Sequence, residues 1–108
     1  MKIIFISGVI FGSKLLSKIL DSGYDVSAIF SYSNEKKLVY SDYFDFNNLA
    51  KKYGIKNFKV NQINDQKNIV EIQSLKPDLI FVMGWSQLLD NKIINIPRIG
   101  VIGSHPTE

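Results

Sequence analysis

Residues 2–8 read Lys-Ile-Ile-Phe-Ile-Ser-Gly, and residues 78–83 read Asp-Leu-Ile-Phe-Val-Met. Neither run alternates polar with apolar, so each predicts a strand covered on both faces. Doubly covered strands belong to parallel sheets, whose neighbours are joined by helical crossovers. The stretches around the two runs supply such crossovers. Residues 13–22 place Leu15, Leu16, Ile19 and Leu20 on one helical stripe, with Lys14, Ser17, Lys18 and Asp21 opposite and Gly23 closing the helix. Residues 25–32 predict a second strand. Residues 45–53 predict a second helix, with Phe46, Leu49, Ala50 and Tyr53 at helical spacing and Gly54 after them. Residues 57–60 predict a short third strand. Asp65 can cap a third helix in which Ile69, Ile72 and Val70 face inward and which Lys76-Pro77 stops. After the fourth strand, residues 86–96 predict a fourth helix ended by Pro97, and residues 98–104 a fifth strand.

This alternation predicts an α/β fold: a Rossmann-like, three-layer parallel sheet with helices on both faces and strand order 3-2-1-4-5. Ligands of such sheets bind beyond the carboxyl ends of the strands, at the switch point between the first and fourth. The chain of 108 residues has the size of one small domain or part of a larger one. Folding would leave roughly 6,100 Å² exposed of roughly 17,800 Å², burying about 66%, enough for a true core. A composition of 45% apolar and 21% charged residues excludes wholesale disorder. With no cysteine there is no disulfide, thiolate metal site or cysteine nucleophile, and one histidine is too few for a histidine zinc site. The longest apolar run is five residues, far below a membrane span, and the start lacks a signal-peptide cleavage pattern, so a cytoplasmic setting is expected. The net charge of +3 comes from scattered lysines, which read as a solvated surface and form no nucleic-acid stripe.

Three segments fall at the switch point. The first is Ser-Gly-Val-Ile-Phe-Gly-Ser, residues 7–13. Gly8 and Gly12 allow close backbone approach, and a helix beginning near Ser13 would offer N–H groups to an anion. The segment is not G-x-G-x-x-G and has no Walker lysine. A sharp turn without ligand is the competing reading. The second is Gly-Trp-Ser-Gln-Leu-Leu, residues 84–89. Trp85, Leu88 and Leu89 can wall a flat apolar slot, and backbone groups of Ser86 to Leu89 can meet a heterocycle edge. Alternatively, Trp85 and the leucines are core. The third is Gly-Val-Ile-Gly-Ser-His-Pro-Thr-Glu, residues 100–108. His105, directly after a strand and followed by Pro106, is placed as a general acid or base near neutral pH, or is structural.

Taken together, the opening IIFISGVIFGSKLL, the segment DLIFVMGWSQLLDNKIINIP and the closing GVIGSHPTE resemble the formyltransferase family that uses 10-formyltetrahydrofolate. The resemblance spans the chain. It implies that His105 is catalytic, that Trp85, Ser86, Gln87, Leu88, Leu89 and Gly103 lie about the folate, and that Gly8, Gly12 and Ser13 lie about the acceptor. The donor would be 10-formyltetrahydrofolate, and the acceptor an amine on an aminoacyl-tRNA or a nucleotide-linked amino sugar. Residues 40–43 would contact that acceptor or form a surface loop. Two departures stand out. The family signature Asn-x-His-Pro-Ser-Leu-Leu-Pro puts its catalytic asparagine on Gly103, and the family's Arg-Gly loop and catalytic aspartate lie beyond Glu108. Residues 1–108 are therefore expected to be the amino-terminal part of a formyltransferase catalytic domain, inactive alone, with an exposed flank at the fifth strand through which it can self-associate. The alternatives are a dinucleotide-binding oxidoreductase domain, against which the missing glycine fingerprint counts, and a non-catalytic binding module of the same fold.

Overall fold

The computed structural model describes residues 1–35 and 41–103. The elements run β1 (Lys2–Ser7), α1 (Ile10–Asp21), β2 (Asp25–Tyr32), α2 (Asn47–Tyr53), β3 (Lys56–Val60), α3 (Gln66–Leu75), β4 (Leu79–Met83), α4 (Asn91–Ile94) and β5 (Gly100–Gly103). All neighbouring strands are parallel, in the order β3-β2-β1-β4-β5. This is the Rossmann-like α/β sheet that the alternation predicts.

Side chains of a strand alternate between faces, and here both faces are covered. Ile4, Ile6, Phe30, Ile80 and Val82 pack with Ile69 and Ile72 of α3 and Ile93 of α4. Ile3, Phe5, Ile29 and Leu79 pack with Leu16 of α1, Ala50 of α2 and Phe46 beside it. Each buried isoleucine or phenylalanine contributes roughly 1.5–3 kcal/mol, so the two apolar runs that identify β1 and β4 also hold the middle of the sheet.

Several boundaries differ from the sequence expectation. α1 starts at Ile10, not near Ser13, with Val9 as N-cap and no side-chain cap. Val70 of α3 is exposed; Asn68, Ile69 and Ile72 are the buried residues of the helix, and Leu75 packs partly buried against the same core. The fourth helix is only Asn91–Ile94: Asp90 caps it by accepting from the Lys92 N–H, and residues 84–89 run as a loop. β5 begins at Gly100, although Arg98 and Ile99 already donate backbone hydrogen bonds to Pro77 and Asp78. α3 stops as expected, with Lys76 at φ 49° in the left-handed region and Pro77 behind it.

Candidate functional site

The sheet order makes β1 the neighbour of β4, and β4 the neighbour of β5. Ser7 lies opposite Met83, and Val82 opposite Gly103, so the chain leaves all three strands at one rim. The carboxyl ends of three strands separated by tens of residues thus lie side by side about the switch point, where open α/β sheets bind ligands.

At β1 the exit is tight. A Cβ on Gly8 would lie 2.0 Å from the Tyr32 ring, and one on Gly12 would lie 2.0 Å from Ser7 Oγ. Both glycines are therefore demanded by close approach. Because α1 begins early, Gly12 and Ser13 are buried inside its first turns. The Ser13 N–H donates to the Val9 carbonyl and its hydroxyl to the Ile10 carbonyl. The leading N–H groups of the helix are consequently those just before Ser13, and that of Ile10 donates to the Asp42 carbonyl. The Phe44 N–H donates to the Gly8 carbonyl, and Val9 and Tyr43 form an antiparallel bridge. Residues 42–44 are thus clamped onto the first segment.

Behind the clamp, Lys59 of β3 donates to Asn34 Oδ1 at 2.7 Å and pairs with Asp45 Oδ1 at 2.9 Å. Tyr43 Oη lies 3.3 Å from its ammonium. Burial works against the Lys59 charge, but its bonds to Asp45 and Tyr43 outweigh that and raise its pKa above the ordinary lysine value. A cleft of about 460 Å³ opens here between Ile10, Asn34, Tyr43, Phe44 and Asp45.

The loop after β4 is pinned at both ends. The Tyr32 hydroxyl accepts from the Ser86 N–H at 2.7 Å and donates to Ser86 Oγ at 2.9 Å. Gln87 accepts from the Ile63 N–H through Oε1 and donates to the Asn61 carbonyl through Nε2. Asn64 donates to the Leu88 carbonyl and accepts from the Asp90 N–H, closing the loop as a peptide group would. Trp85 and Leu89 are core residues, while Leu88 is exposed. The Trp85 ring stacks on Tyr32 with centroids 4.0 Å apart, and its buried Nε1 has no partner among the described residues. Among those residues, the N–H groups of Gln87, Leu88 and Leu89 meet no protein acceptor. The loop therefore keeps donors that suit a heterocycle edge.

At the third segment the described chain ends at Gly103, with φ +132° and its Cβ direction aimed at the Val82 carbonyl. His105 and Ser104 lie outside the described residues, as does Tyr40.

Sequence reasoning missed Tyr32 and Asn64, and the partners of Gln87. Tyr32 ends β2, so its place on the same rim follows once the strand order is known; Asn64 carries no comparable signal. A concavity of about 650 Å³ lies at the opposite, amino-terminal end of the sheet. It is lined by Lys76 and Pro77, just after α3, with Asp78, Lys92 and Arg98, and it is remote from the switch point.

Known proteins give the geometry a family. The family model described as formyl transferase matches residues 1–107. The methionyl-tRNA formyltransferase of Kosmotoga olearia is 27% identical over 97% of this chain and 34% of its own length. Those of Lachnospira eligens and Methylacidiphilum infernorum are 30% and 32% identical over the same shares. The chain spans about a third of the length of these curated relatives. With the family model covering nearly all of its residues on a sheet of the expected order, this chain belongs to the formyl transferase family.

Proposed function

We propose that residues 1–108 form the amino-terminal part of a catalytic domain that moves a formyl group from 10-formyltetrahydrofolate to an amine, in the cytoplasm. The observation that carries this reading is the family match over 1–107, on a sheet that brings the carboxyl ends of β1, β4 and β5 to one rim. The amine is borne by methionyl-tRNA or by a nucleotide-linked amino sugar, and the names of the relatives favour the first.

The donor, when bound, supplies an activated formyl carbon. The loop at 86–89 would hold its flat heterocycle through backbone N–H groups, with Leu88 as the exposed apolar contact. Trp85 supports that loop from within the core, through its stack on Tyr32. Gly103 lets the end of β5 pass close beside β4. The acceptor would enter over Gly8 and the start of α1, with Gly12 and Ser13 shaping the helix beneath it. The transfer forms a bond between the acceptor nitrogen and the formyl carbon and breaks the bond from that carbon to the donor nitrogen. One proton passes from the acceptor nitrogen to the leaving nitrogen. His105 is assigned to that proton, or to the oxygen that gains negative charge as the amine adds.

The test is formyl transfer by the full-length protein, with 10-formyltetrahydrofolate and each acceptor in turn. Transfer to one of them is expected, and His105→Ala should lower turnover by about 10² or more. Residues 1–108 alone should transfer none. Absence of transfer by the full-length protein overturns the reading, and an unchanged His105→Ala rate removes His105 from it.

A further inference from the structure

We propose that Tyr32 is a positioning residue for the formyl donor: it fixes where residues 86–89 leave the sheet. The inference rests on the reading above that this loop holds the donor. Tyr32 ends β2 and is 1% exposed. Its ring crosses the carboxyl end of β1, which it can do only because residue 8 has no side chain: a Cβ there would lie 2.0 Å from Tyr32 Cδ2. Having crossed, the ring stacks on Trp85 at 4.0 Å with an interplanar angle of 14°.

The hydroxyl then makes two bonds to one residue. It accepts from the Ser86 N–H and donates to Ser86 Oγ, using a phenol's donor and one of its acceptor positions. A single buried side chain thus holds both the indole and the next peptide group of the loop. The donors on Gln87, Leu88 and Leu89 follow directly along the backbone, so their direction is set by this anchor. Gln87 and Asn64 fix the far end of the same loop against residues 61–64. Tyr32 touches neither reacting centre in this reading; it acts through the loop.

The test is steady-state kinetics of full-length Tyr32→Phe, which keeps the ring and its stack but removes both bonds. The KM for 10-formyltetrahydrofolate should rise about tenfold, with the acceptor KM at its wild-type value. Amide hydrogen exchange in residues 86–90 should accelerate while that of β1 and β4 stays slow. An unchanged donor KM in an active protein, or a rise shared equally by donor and acceptor, overturns the positioning role. Unchanged exchange at 86–90 does so too, whether or not the protein turns over. If wild-type protein transfers no formyl group, the donor assignment itself is overturned. Should Tyr32→Phe fail to fold, Ser86→Ala removes the bond to Oγ and leaves the Ser86 N–H in place, and should raise the donor KM about threefold; no rise overturns the proposal.

Discussion

At position 103 the backbone takes φ +132°, and a Cβ built there would lie 2.0 Å from the Val82 carbonyl oxygen. The close approach leaves no room for a side chain at this position. A backbone oxygen cannot swing aside as the tip of a flexible side chain can, so any L side chain must move β5 away from β4. Gly103→Asn should therefore not restore an amide to the site. Both Gly103→Asn and Gly103→Ala should lower stability by at least about 1–3 kcal/mol, several degrees of melting temperature for a domain of this size. Thermal unfolding of the two variants checks this, and a wild-type melting temperature for Gly103→Asn would refute the close approach. Other residues show how far the sequence alone could be read. That Trp85 stands at the carboxyl end of β4 was legible from the run 78–83. That its ring turns inward onto Tyr32 was not, because the partner lies two strands away and no local pattern encodes the contact.

Among the elements, the amino ends of three strands meet at Asp78. Its Oδ2 accepts from the Lys2 N–H at 2.7 Å, its Oδ1 accepts from Arg98 Nε at 2.9 Å, and its carbonyl accepts from the Ile99 N–H. The Lys2 N–H and then the Arg98 guanidinium hold the Asp78 carboxyl below the usual carboxylate range. A lowered pKa means that the folded protein binds fewer protons here than the unfolded chain does. The stabilisation is present above the unfolded carboxylate value, near 4, and is lost as pH falls through the lower folded value. Melting temperatures of wild type and Asp78→Asn, compared between pH 7 and pH 2, should therefore converge toward the acid end; a constant gap would contradict the linkage. Elements were legible in proportion to how much of their cause is local. β1 and β4 were read from uninterrupted apolar runs, and the end of α3 from Lys76-Pro77. The sequence predicts too long an α4 because residues 86–90 have helical composition, whereas the side chains of Gln87 and Asn64, from two different loops, tie them down in another shape. The sequence predicts too short an α1 because Gly12 looks like a loop residue until its packing against Ser7 is known.

Across the whole molecule, the two flanks of the sheet differ in what they present. β3 ends one flank with only five residues, two of them lysines, which blunts it against strand addition. β5 ends the other with Gly-Val-Ile-Gly, and no described strand lies beyond it. Ile99 and Ile102 are 56% and 50% exposed there, and Phe81 and Met83 of the adjoining β4 are only partly buried. A free strand edge bordered by exposed isoleucines is a template for another edge of the same kind. Residues 1–108 in solution should therefore associate through β5 in a concentration-dependent way. Sedimentation velocity over a dilution series would read this as a shift between monomer and dimer. Ile102→Lys puts a charge on the exposed flank, where pairing would have to bury it, so the variant should sediment as a monomer at concentrations where the wild-type chain does not. The discriminating comparison is with Val70→Lys, an equally exposed apolar site on α3, remote from the edge. If both substitutions abolish association, a general gain in charge is responsible; if only Ile102→Lys does, the contact runs through the strand. A wild-type chain that stays monomeric throughout would show that the isoleucines and the open edge, though exposed, do not suffice to recruit a second copy.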